Sequence, residues 1–204
     1  MTSVKDIVLV AVGGALWLAL SIATAVFSVF PGFFLVSLPI LLSGIYSVWF
    51  GKKGILMGVL GLLLQDVQKG ITPVVAWGDY VGVAFIIMTL LWFFLPAGYA
   101  ELKTVKQIAI YYALLIPLML VGFFVVIFGF TVTGIIPSAA LVVVYTGVVI
   151  GTGSVEVVAD FILLRSLTSF IKRSGFYSGT RADQSLKKKR EAQMMAQPAA
   201  SPAT

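Results

Sequence analysis

The chain contains no cysteine and no histidine. Their absence removes disulfides, thiolate nucleophiles and imidazole bases, together with haem ligation through these residues and most transition-metal sites. Charge is also scarce, since Asp, Glu, Lys and Arg make up 11% of 204 residues, whereas a soluble domain carries about 25%. So few charged side chains cannot form the polar shell that a 60% hydrophobic composition would need in water, so lipid must be the solvent. The expectation is one integral membrane domain, multi-pass in the cell membrane.

What is present is a series of apolar runs broken by Pro, Gly or charge. They give six candidate spans, at 7–29, 34–50, 54–67, 79–96, 107–130 and 137–164. The predicted fold is therefore an all-α bundle of six transmembrane helices. The third run is short, covering about 21 Å at 1.5 Å per residue, so Gln65 to Gly78 is expected to bring irregular backbone to a cavity. Ala23-Thr24-Ala25 has the look of a signal-peptidase site, but the apolar run around it exceeds a usual signal core, and a retained first helix is expected.

Lys and Arg distribute unevenly over the connections. With six spans, one side holds Lys5, Lys52, Lys53, Lys103, Lys106 and every basic residue from Arg165 onward, while the other holds Lys69 alone. Basic residues stay preferentially in the cytoplasm, which predicts both termini inside. The formal charge of +6 sits in short connections and the tail, a pattern for a membrane surface, and no nucleic-acid partner is expected. Residues 1–173 form the expected membrane domain. Residues 174–204, with Lys187-Lys188-Lys189-Arg190, read as a basic, disordered cytoplasmic tail that meets anionic headgroups. Nothing matches the phosphate-binding loop Gly-x-x-x-x-Gly-Lys-Ser/Thr, so any ATP-driven step needs another subunit.

Small residues recur every four positions in the first run, at Ala11, Ala15, Ala19 and Ala23, with Gly14 beside them. Such a stripe lets a second helix approach closely, either within the chain or from a partner. The stretch Ser37 to Asp66 reads as a hairpin turning at Gly51-Lys52-Lys53-Gly54, with Gly58 and Gly61 allowing tight packing after the turn. Glu156 and Asp160 lie four apart, about 28 and 34 Å beyond Pro137 on a regular helix. They suggest an interfacial ion network with Arg165, or a proton relay.

In this pattern the chain resembles the substrate-binding S component of energy-coupling factor transporters, the vitamin-uptake branch of ABC transporters. The likeness covers residues 5–173 and lies in the six-helix layout, the Ala-x-x-x-Ala first helix, the Pro-containing second helix, the Phe50-Gly51 turn and the Gly-rich third helix ending in Gln65 and Asp66. It implies that Ala11, Ala15, Ala19 and Ala23 contact a separate transmembrane coupling subunit driven by two ATPase subunits. It also implies a small-molecule site near the outer face, offering Asp66, Trp77, Asp79, Tyr80, Thr133 and Tyr145, with Gln65, Gln68 and Thr131 nearby. Aromatic faces and a few polar groups suit a buried organic ligand, and two aspartates would favour an amine-bearing one. Asp79 could instead cap the fourth helix.

The expected function is thus binding of a vitamin or related heterocyclic micronutrient for ATP-driven uptake, with no enzymatic activity, no catalytic residues, no resident cofactor and no metal. Lack of His argues against the nickel and cobalt branch. Two other readings stay open: a self-contained secondary transporter or channel using Glu156 or Asp160, and a membrane assembly factor.

Overall fold

The computed structural model describes residues 3–24, 28–30, 33–34, 36–71 and 73–196. Helix α1 (Val4–Ala23) opens at Ser3, whose hydroxyl accepts the Asp6 amide at 3.2 Å and so satisfies one of the donors a helix start leaves unpaired. It ends earlier than the apolar run. Ser28–Phe30 (β1) and Phe33–Phe34 (β2) pair antiparallel instead, so the helix expected through Val29 gives way to strand. Pro31-Gly32 between these strands lies outside the described residues, as does Ala25 of the signal-like tripeptide.

A single turn of tighter helix at Leu38–Ile40, with Pro39 at its start, leads into Leu41–Phe50, and together they form α2. Gly51, at φ 59°, makes the corner to α3 (Lys52–Lys69), a conformation that a side chain would strain. The expected hairpin is there, but α3 is not short. Its 18 residues continue as regular helix through Gln65 and Asp66, about 27 Å in all, because nothing in that polar end breaks a helix before Gly70 turns left-handed at φ 66°.

Pro73–Asp79, Tyr80–Thr89 and Leu90–Phe94 form one rod, α4, whose middle 10 residues are wound as π-helix. Thr89 Oγ1 donates to the Ala84 carbonyl at 3.0 Å within that stretch. After a short turn at Tyr99–Glu101, Thr104 and Gln107 form a reciprocal capping box that starts α5 (Val105–Val132). The last long rod, α6 (Ser138–Arg173), carries a second π segment at Val149–Gly153. Apart from the β1–β2 pair, the regular structure among the described residues is helical. Four helices among them are long and apolar enough to cross a membrane: α1, Val75–Phe94 of α4, α5 and α6. Helix α2 is apolar but shorter.

The core runs along the bundle through Trp17, Ile45, Tyr111, Leu115 and Phe123, all essentially inaccessible. Small residues set the spacing. A Cβ on Gly82 would lie 2.4 Å from the Gly122 carbonyl oxygen, which brings the backbones of α4 and α5 into contact. Trp17 of α1 seats against Gly61 of α3 in the same manner.

The segment after residue 173 departs from expectation. Arg181–Ala196 is a helix, α7, because the segment is rich in Lys, Arg, Glu, Gln, Ala and Met, all strong helix formers. Thr180 and Asp183 exchange hydrogen bonds at its start, Thr180 N to Asp183 Oδ2 at 2.9 Å and Asp183 N to Thr180 Oγ1 at 3.3 Å. The helix is also tied to the bundle: the Ser178 and Gly179 amides donate to the Trp49 carbonyl at 2.8 and 3.1 Å, and Asp183 Oδ1 accepts the Gly98 amide at 2.8 Å. Residues 197–204 lie outside the described residues.

Candidate functional site

Helices α1 to α6 surround a cavity of about 570 Å³, counting the space at its open mouth. It lies toward the end of the bundle that carries Lys69, away from the ends of α1 and α6 where the other basic residues gather. Trp17 and Gln65 supply one wall, where the indole Nε1 donates to Gln65 Oε1 at 3.1 Å inside the protein. Phe123, Ile127 and Phe130 of α5 supply another. Thr152, in the π segment of α6, accepts the Ser37 amide at 3.0 Å and lines the cavity with it. Lys69 and Asp79 complete the polar part.

The lining therefore combines aromatic faces with an amide, two hydroxyl-bearing residues, one ammonium and one carboxyl. That combination can stack and orient a flat organic molecule bearing both donors and acceptors. It is mixed in charge, so the amine preference expected from two aspartates loses its basis. Lys69 interacts electrostatically with Asp79 and with Asp66.

Of the nine residues the resemblance offered, Gln65 and Asp79 reach the cavity wall. Asp79 sits at the junction of the α and π segments of α4 and makes no capping hydrogen bond there, so the cap expectation fails. Asp66 is buried but does not line the cavity, and its carboxyl interacts with Tyr80, Lys69 and Asp79. Tyr80 is half-buried beside it. Trp77 is 39% exposed, its ring near Gly129 of α5. Thr133 turns its hydroxyl back onto the Gly129 carbonyl at 2.9 Å, as a helix end does, and Thr131 does likewise onto Ile127. Tyr145 donates to the Leu120 carbonyl at 3.1 Å and meets Phe124 edge-on, clamping α6 to α5. Gln68 is exposed.

Trp17, Ser37 and Thr152 are the lining residues that sequence reasoning passed over. Each was detectable in principle as a polar or amphipathic side chain inside an otherwise apolar run. Trp17 in particular falls on the face of α1 opposite the alanine stripe, which a helical wheel would have separated.

A second polar cluster lies deeper. Ser43 Oγ donates to Glu156 Oε1 at 2.6 Å, and the Tyr111 hydroxyl donates to Asp160 Oδ2. Both acids are fully buried, and Glu156 Oε2 and Asp160 Oδ1 are left without a hydrogen bond among the described residues. The expected ion network with Arg165 does not form: Arg165 lies over the Phe161 ring, 5.5 Å from its centre, because Asp160 faces α5 while Arg165 faces outward. No group of three or more Asp or Glu side chains among the described residues is arranged to hold a metal ion.

The alanine stripe and the glycines of α1 separate cleanly. Gly13, Gly14, Trp17 and Ser21 are buried against α3, whereas Ala11, Ala15, Ala19 and Ala23 are exposed. No protein-family model, curated protein or solved structure matches the chain.

Proposed function

We propose that the chain is the substrate-binding subunit of an ATP-driven micronutrient importer of the energy-coupling factor type. It binds a vitamin or related small heterocycle in the Trp17–Gln65–Asp79 cavity and performs no covalent chemistry. The observation that carries the reading is the uncovered stripe Ala11, Ala15, Ala19 and Ala23. A helix that points four small residues away from its own bundle keeps them free for another helix, here that of a transmembrane coupling subunit driven by two ATPase subunits.

Charge supports the orientation. Lys5 meets Phe176, Lys53 pairs with Asp6, and Lys172 pairs with Glu101, so the basic residues gather at one end of the bundle. That end is the cytoplasmic one in this reading, with both termini inside and α2 and α3 crossing as a hairpin to complete six spans. The cavity then opens toward the outside. Transport is tested in cells that carry the whole importer. Ala15→Leu/Ala19→Leu should abolish uptake while the purified protein still retains its ligand, and full uptake would overturn the proposal.

The buried Glu156–Asp160 pair favours one other reading, a secondary carrier that couples through these acids. Glu156→Gln discriminates: uptake persists in an ATP-driven importer and is lost, together with its dependence on the proton gradient, in a carrier.

A further inference from the structure

Helix α7 does not merely trail from the bundle. Asp183, Lys187 and Glu191, and beside them Leu186, Arg190 and Met194, form two rows at four-residue spacing, and all six line a cleft between α7 and the end of the bundle. Gly98 and Lys172 close the other side, and the cleft measures about 1,040 Å³ with its open mouth. Two of its acids are engaged. Asp183 accepts from Gly98 N, Thr180 and Tyr177, and Glu191 stands 4.0 Å from Lys187. Lys172, Lys187 and Arg190 set against these two acids leave a surplus of one positive charge in the lining, with Lys172 also paired to Glu101, while Leu186 and Met194, 46% and 65% exposed, add an apolar edge.

A cleft lined by three cations and by the exposed Leu186 and Met194, beside a bundle whose flanks are apolar, fits an amphiphile with a phosphate head. The surroundings agree. Arg181 lies 4.1 Å over Phe93, Lys172 5.0 Å over Tyr177 and Lys5 4.5 Å over Phe176, so this end carries paired aromatic and basic side chains as at a membrane interface. We propose that the cleft binds the headgroup of an anionic phospholipid, with Lys172, Lys187 and Arg190 on the phosphate and Leu186 and Met194 against the glycerol and first methylenes. Bound there, the lipid joins α7 to the membrane plane. The site is distinct from the substrate cavity and holds whether or not the import reading does.

The test uses the full chain, released from nanodiscs that contain equal phosphatidylglycerol and phosphatidylcholine, with retained lipids counted by native mass spectrometry. Phosphatidylglycerol should be retained selectively. Lys187→Gln/Arg190→Gln should weaken that retention about thirty-fold, about five-fold per basic residue. Lys188→Gln/Lys189→Gln removes the same charge from positions off the cleft and should leave most of the retention intact. Equal loss in the two double variants would overturn the site in favour of diffuse attraction, and so would displacement of the lipid by millimolar inorganic phosphate. A circular-dichroism melt matching the parent chain shows that each variant is folded.

Discussion

The two faces of α1 can be told apart by substitution. A Cβ built on Gly61 falls 2.4 Å from both Cβ and Cγ of Trp17, against the roughly 3.5–4 Å that carbon contacts require. Those atoms are the root of a fully buried indole and cannot swing away, so α1 and α3 must part by about 1 Å. Overpacking of this kind costs about 1–3 kcal/mol, which for a chain of this length lowers the melting temperature by about 6 °C. Ala15→Leu/Ala19→Leu adds more atoms, but on the exposed face, where substitutions shift stability by about 0.5 kcal/mol or less and the melting temperature by no more than about 2 °C. Both are read by tryptophan-fluorescence melts in mild detergent. If the alanine pair destabilises as much as Gly61→Ala, the stripe packs within the fold and the argument for a free docking face collapses.

Single contacts carry three more expectations. Tyr111→Phe removes the hydroxyl that donates to Asp160 and should cost about 1–3 kcal/mol, read as a lower melting temperature, whereas an unchanged one would mean that the acid finds another donor. Gln65→Met strips the acceptor from the Trp17 indole at the cavity wall and should cut ligand retention about tenfold, while unchanged retention would remove Gln65 from the site. Lys103, then Lys172, hold Glu101 below the usual glutamate value of 4.5. Its folded value is the lower one, so the stabilisation is complete above the ordinary value and fades as pH falls through the folded one. Glu101→Gln should therefore lower the melting temperature at neutral pH and make no difference in strong acid, and an equal deficit at both would refute the ion-pair account.

The helical class and the α2–α3 hairpin were readable because they rest on long apolar runs and on Gly51, signals that survive without tertiary context. The ends of the runs were less legible. Residues 28–30 are as apolar as the helix before them, yet pair as strand, and apolarity alone does not distinguish the two. The docking of α7 was hidden behind its charge, although Thr180-Arg181-Ala182-Asp183 is a helix-start pattern that could have announced it. For the cavity, the resemblance pointed to the correct stretch of α3 and α4 but, apart from Gln65 and Asp79, to side chains that do not line it. Asp66, Trp77 and Tyr80 are near Asp79 in sequence or in space, whereas the lining is assembled from residues of six helices, a fact that only packing decides. The π segments matter for the same reason, since Tyr80–Thr89 and Val149–Gly153 rotate the residues beyond them relative to a regular helix.

The central claim is that this chain works as the binding subunit of an assembly powered by others. Its most direct test is native mass spectrometry of the chain drawn from its own membrane in mild detergent, recording bound small molecules and co-purifying proteins together. The account predicts a heterocyclic ligand in the bundle and a complex containing one further transmembrane subunit and two ATPase subunits. A homo-oligomer carrying neither ligand nor ATPase would contradict it and leave the buried Glu156–Asp160 pair of a self-contained carrier as the better explanation.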